Sequence, residues 1–234
     1  VLTFDTTKPP FNDRRLRIAM QHAVDRPLIL EQILGGQGTL LQGQLLTSNT
    51  FGFNPNIRPR EYDPAAARRL LAEAGMARGF NTSIATRSGR YLSDVDISNA
   101  IAGMFQEVGV RTSVNVVEGG VWTRMAGAAD MGPTHIVGWF SLGDADFASI
   151  WFTRGGQRGF WHNEEYERLF VEARSTVDQA RRERAYHRMM EIMHEEAPAI
   201  FLFGLPSIAG KARNLSGFRS SADTILRLTR ATLN

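Results

Sequence analysis

The sequence predicts an α/β fold, a mainly parallel sheet flanked by helices. Three observations carry that prediction. Strand-like and helix-like patterns alternate between residues 80 and 140 with short connections, the order that builds parallel β-α-β units. The last of these strands, Thr134 to Phe140, is apolar almost throughout, as a strand covered on both faces should be. Amphipathic helices with their own start and stop residues stand on either side of this stretch. With 234 residues, 43% of them hydrophobic and 22% charged, the chain has material for a packed core and lacks the composition of a disordered segment.

Each element follows from local signals. Leu2 to Thr6 opens as a strand, ended by Pro9-Pro10-Phe11-Asn12. Asn12 or Asp13 caps a helix whose apolar stripe is Leu16, Ala19, Met20, Ala23 and Val24. Asp25-Arg26-Pro27 restarts it, Leu28, Ile29, Ile33 and Leu34 continue the face, and Gly35-Gly36 closes it. Residues 37 to 61 carry Gly43, Gly52, Pro55 and Pro59 and form a long irregular connection, of the kind that builds binding rims. Asp63 caps the next helix, Pro64 sits at its first position, Ala67, Leu70, Leu71 and Ala74 form its stripe, and Gly75 ends it. Phe80 to Arg87 alternates as a strand. Ser93-Asp94-Val95-Asp96 opens a helix carrying Ile97, Ile101, Phe105 and Val108. Val110 to Val116 is a second strand, Gly119 to Ala129 a short helix, and Thr134 to Phe140 the third strand. Helices over 163–176 and 179–196 follow, the second stopped at Pro198, with Tyr186, Met189, Met190 and Met193 at core spacing. Ala199 to Phe203 and Ser207 to Gly210 are expected as strands.

Composition excludes several classes of function. Zero Cys removes thiolate nucleophiles, disulfides and Cys-based zinc sites. No apolar run approaches the roughly 20 residues of a membrane span. The net charge is only +3, and all but Lys8 and Lys211 of the 27 basic residues are Arg, interleaved with acids along the helices. That is the pattern of solvated helix faces and not the one-sided basic stripe of a nucleic-acid binder.

In a parallel sheet, ligands collect at the carboxyl ends of the strands. The three exits here place Arg87, Ser88 and Arg90, then Glu118 and Trp122, then Trp139, Ser141, Asp144 and Asp146, on one edge. Charge, hydroxyl and two indoles with interspersed Gly describe a small-molecule site. No enzyme constellation competes with it. Asp144-x-Asp146 and Asp94-x-Asp96 are two-residue matches to a cation site, and Asp94 and Asp96 are explained more simply as charges at a helix start. His187, Glu191 and His194 share a helix face but lack the second His of a zincin motif, and they are expected on an exposed face. His22 and His135 lie in apolar patterns and are expected as satisfied core or boundary residues. There is no nucleophile elbow and no phosphate loop.

The order of the signals resembles the C-terminal half of the family 5 extracellular solute-binding proteins, the peptide, nickel and glutathione receptors of ABC importers. The matching stretches are Phe4 to Phe11, the run from Arg14 to Arg26, Gly35-Gly36-Gln37-Gly38-Thr39, Tyr62 to Gly75, Val137-Gly138-Trp139 and Glu195-Glu196-Ala197-Pro198. The resemblance implies a periplasmic-binding-protein-like lobe over 8–200. It implies a crossover strand from an absent first lobe at 1–7, and a return crossover with a segment packing on that lobe at 201–234. It implies a monomer without cofactor that captures a small peptide or peptide-like solute for permease subunits of an ABC transporter. The expected setting is the periplasm, reached by a precursor with a signal peptide. In the peptide receptors, a Trp ending the third strand lines the cleft and an Asp three positions later pairs with the α-amino group. Trp139 matches the first, but Leu142 stands at the second, so the resemblance passes the amine anchor to Asp144 or Asp146 and admits a modified peptide, an opine, glutathione or a metal chelate as solute. The rival is a receptor or interaction module of the same fold that works through protein contacts alone.

Overall fold

The computed structural model describes residues 1–139, 142–154, 156, 160–219 and 227–234. In chain order the elements are β1 (Leu2–Phe4), α1 (Arg14–His22), α2 (Arg26–Gln32), β2 (Thr39–Leu40), α3 (Pro64–Glu73), β3 (Asn81–Thr86), α4 (Asp94–Glu107), β4 (Arg111–Val116), α5 (Gly119–Gly127), β5 (Thr134–Ile136), α6 (Ala145–Ser149), α7 (Glu164–Arg174), α8 (Gln179–Glu196), β6 (Ala199–Ile200), β7 (Phe203–Gly204), β8 (Leu215–Ser216) and β9 (Thr232–Leu233), with a 3₁₀ turn at Ile150–Phe152.

The helix starts are built as the caps require. Asp13, Asp25, Asp63, Asn163 and Asp178 each accept a backbone N–H of their own first turn, which satisfies a donor that the helix leaves unpaired. Ser93 departs from expectation: it takes a left-handed conformation, φ 51°, and makes no side-chain cap.

A five-stranded sheet in the order β4-β3-β5-β1-β6 forms the centre. β3 runs parallel to β4 and to β5, so the strand–helix–strand reading holds and the exits of these three strands share one edge. β1 lies antiparallel between β5 and β6, with Leu2 opposite both Ile136 and Ile200. The strand expected at a lobe crossing is therefore an interior strand of this sheet, its three residues fully buried. Period-2 alternation sends Leu2 and Phe4 into one core, while Thr3 meets His135 at 2.9 Å on the other side.

Two cores cover the faces. On one, α1, α3 and α4 bring Leu16, Met20, Leu71, Ile101 and Phe105 against Phe4 and Ile84. On the other, the 3₁₀ turn, α7 and α8 bring Phe152, Tyr166, Tyr186, Met189, Met190 and Met193 together with Leu41 and Leu46 of the long connection. Tyr166 is fully buried, and its hydroxyl donates to the Ser149 carbonyl at 3.0 Å. Residues 37–61 are pinned by a reciprocal pair, Gln44 Nε2 to the Asn54 carbonyl at 2.7 Å and Asn54 N–H to Gln44 Oε1 at 2.9 Å. Gly52 lets this segment approach α8, since a Cβ there would stand 2.8 Å from both Ala145 and Tyr186.

Three strand expectations are corrected. The third strand keeps ladder pairing only over Thr134–Ile136, and Phe140 lies outside the described residues. Ser207 to Gly210 is exposed and makes no ladder. The segment before it splits instead, Ala199–Ile200 joining the sheet and Phe203–Gly204 pairing with β2. The helix α6 was not signalled by periodicity because it is five residues long; its start is set by Asp144, which accepts the Asp146 N–H.

Candidate functional site

The site is assembled from the loop that leaves β3. Asp94, at the start of α4, is buried, and its carboxylate accepts backbone N–H groups of Gly89 at 3.2 Å, Arg90 at 2.9 Å, Tyr91 at 3.0 Å and Val95 at 3.0 Å. A charged acceptor with four donors fixes the loop backbone from within. Tyr91 then ties this exit to that of β5: its hydroxyl accepts the Gly138 N–H at 2.9 Å and donates to the Gly138 carbonyl at 3.3 Å. Residue 138 must be small for this contact, because a Cβ there would lie 3.0 Å from the Tyr91 ring.

Between these elements and α5 and α6 opens a cleft of about 710 Å³, lined by Arg87, Arg90, Tyr91, Trp122, Trp139 and Trp151 among others. The Arg87 guanidinium sits 4.6 Å from the Trp122 ring and 5.7 Å from that of Tyr91, and the Arg90 guanidinium 5.4 Å from Tyr91. These cation–π contacts hold both arginines over aromatic faces. Trp139 stacks on Trp151 at 6.4 Å and meets Phe152 edge-on at 5.0 Å. Arg87 Nε and Trp151 Nε1 are buried without a hydrogen-bond partner. An unpaired buried donor is costly, so both mark places where an acceptor belongs.

Four of the expected residues, Arg87, Arg90, Trp122 and Trp139, come together in this cleft. Ser88 and Glu118 are exposed and do not line it. Ser141 lies outside the described residues. Asp144 and Asp146, the expected amine anchors, are engaged in ion pairs with two arginines. Asp144 caps α6 and pairs with Arg182 at 3.0 Å, Asp146 pairs with Arg174 at 3.0 Å, and neither lines the cleft. Hydrogen bonds to Tyr186 and then Asp144 raise the affinity of Arg182 for its proton, so the guanidinium stays charged. Sequence reasoning missed Tyr91, Gly138, Phe147 and Trp151. The signal for Trp151 was its aromatic neighbourhood, Phe147 to Phe152, which carried no helical stripe long enough to assign.

The histidine face of α8 is also corrected. His187, Glu191 and His194 are half-buried beneath residues 37–61: Glu191 Oε1 accepts Asn54 Nδ2 at 3.1 Å, and His194 Nδ1 lies 3.1 Å from the Gly43 carbonyl. Burial, and then the charge of Arg60, lower the proton affinity of His194. No group of three His, Asp or Glu among the described residues is placed to hold a metal. No helix among them is long and apolar enough to cross a membrane.

Residues 1–158 match the family described as bacterial extracellular solute-binding proteins, family 5 Middle. The chain belongs to this family. Its members are binding proteins and not enzymes. The chain is 26% identical over 237 aligned positions to the glutathione-binding protein GsiB of Shigella flexneri, covering 95% of this chain and 46% of that one. It is likewise 26% identical to the dipeptide-binding protein of Escherichia coli, covering 86% of this chain and 39% of its relative. Among solved structures, the periplasmic binding protein DppA of Helicobacter pylori in complex with the peptide STSA superposes with a TM-score of 0.86 at 24% identity, over 99% of this chain and 46% of that one. That likeness shows the periplasmic-binding-protein fold. This family 5 chain spans about half the length of the curated relatives it matches.

Proposed function

We propose that this chain is the C-terminal ligand-binding lobe of a substrate-capture protein of an ABC importer, which holds a small peptide or peptide-like solute reversibly and delivers it to a membrane permease in the periplasm. The observation that carries the reading is the cleft at the strand exits, walled by Trp122, Trp139 and Trp151 and furnished with two guanidiniums. Aromatic faces supply contact area at low entropic cost, and Arg supplies a planar fork for a carboxylate. Residues 1–7 and 201–234 are assigned to the crossings between this lobe and its partner lobe. Exposed Leu205, Ile208, Leu228 and Leu233 near the chain's end support that assignment, since scattered apolar side chains on a terminal segment suit packing against further protein. Closure around a solute requires differential contacts from both lobes, so the isolated lobe should bind weakly.

Native mass spectrometry of the full-length protein tests the reading. The expected result is a co-purified small molecule, released on denaturation, and a thermal shift with peptides or peptide-like acids. A full-length protein that carries no small molecule and shifts with none would overturn it in favour of an interaction module.

A further inference from the structure

The cleft offers donors and cations, and among the described residues no carboxylate lines it. Elsewhere the buried or half-buried arginines are matched. Arg17 donates to the Phe11 and Glu196 carbonyls, Arg26 to those of Leu41, Phe201 and Arg60, and Arg60 to Gln21 and the His194 carbonyl. Arg182 is paired with Asp144, and the exposed Arg174 with Asp146, the two acids that follow the cleft strand in sequence. Arg87 and Arg90 differ. Both line the cleft and neither has a carboxylate partner among the described residues; Arg87 is half-buried and keeps a buried Nε without an acceptor, while Arg90 is exposed at the rim, where closure would cover it. The one acceptor that the Arg87 side chain reaches among the described residues is the Tyr91 hydroxyl, at a long 3.4 Å.

Aromatic surroundings sharpen the consequence. Trp122 and Tyr91 hold the guanidiniums by their faces, which leaves the N–H edges for a ligand, and a cleft walled by rings screens charge less than water does. A solute with one anionic group would neutralise one guanidinium and leave the other to be desolvated on closure without a partner, which is unfavourable. The two guanidiniums lie within 6 Å of the same Tyr91 ring, at 5.7 and 5.4 Å, and line the same cleft.

We infer that Arg87 and Arg90 together select solutes carrying two anionic groups, and that the described residues lining the cleft give a free amine no charged anchor. The inference rests on the solute-capture reading above and names its ligand class. The experiment uses the full-length protein and dipeptides matched in shape, each with Glu in one version and Gln in the other, together with N-acetylated forms and neutral sugars. Thermal shift ranks them, and calorimetry measures the best of each class. The Glu version should bind about tenfold tighter than its Gln match, as one charge-assisted contact implies. N-acetylation should change affinity less than about threefold, and Arg90→Gln should erase the preference for Glu over Gln while Arg90→Lys retains part of it. Gln versions that bind as well as Glu versions, a large loss on acetylation, or a preference that survives Arg90→Gln would each overturn the dianion assignment and leave solute capture standing. Failure of every probe to bind would overturn both.

Discussion

At the scale of single residues, Asp94 organises more of the site than any group that touches the cleft. One buried carboxylate collects the N–H groups of Gly89, Arg90, Tyr91 and Val95, and so aims Arg87, Arg90 and Tyr91 together. Asp94→Ala strands those donors and should destabilise the protein by about 3 kcal/mol in urea unfolding, with a parallel loss of ligand affinity; a cost below about 1 kcal/mol would show that the loop holds itself. The arginines and the two indoles were legible in the sequence because charged and aromatic side chains gathered at strand exits stand outside any core stripe. Asp94 was hidden behind an equally good account, a charge favoured by the helix dipole, since only the folded loop shows which N–H groups turn back onto it. Asp144 and Asp146 show the reverse case, side chains whose ion pairs no local pattern announces. Their partners Arg182 and Arg174 lie on α8 and α7, remote in sequence, so this pairing is a tertiary event.

At the scale of elements, the helices and the parallel strands were readable because caps, stripes and terminators agreed. What failed was short: α6 spans five residues, and β2 and β7 two each, too few for a period to be counted. Helix α8 carries the second core. Met189, Met190 and Met193 are fully buried on one stripe, facing Tyr166 and the long connection. Met190→Ala should therefore cost about 3 kcal/mol, measured as a shift in the denaturation midpoint at unchanged slope. A much smaller cost would mean that residues 37–61 collapse into the space, and that the rim they form is softer than its Gln44–Asn54 pair implies.

At the scale of the whole molecule, the sheet is closed by a strand from the far end of the sequence. β1 has neighbours on both sides and core on both faces, so the amides of Leu2, Phe4 and the facing β5 residues should exchange with solvent only through global unfolding. Exchange of β1 at rates typical of a frayed edge would contradict its interior position. The same strand sets an order of events during synthesis. Thr3 pairs with His135 across 132 positions, and β6, its other neighbour, is translated later still. An apolar segment thus emerges from the ribosome well before either of its neighbours in this sheet. Folding of the sheet can only finish late, and a nascent chain with an idle hydrophobic strand is one that a holding chaperone would shield from aggregation.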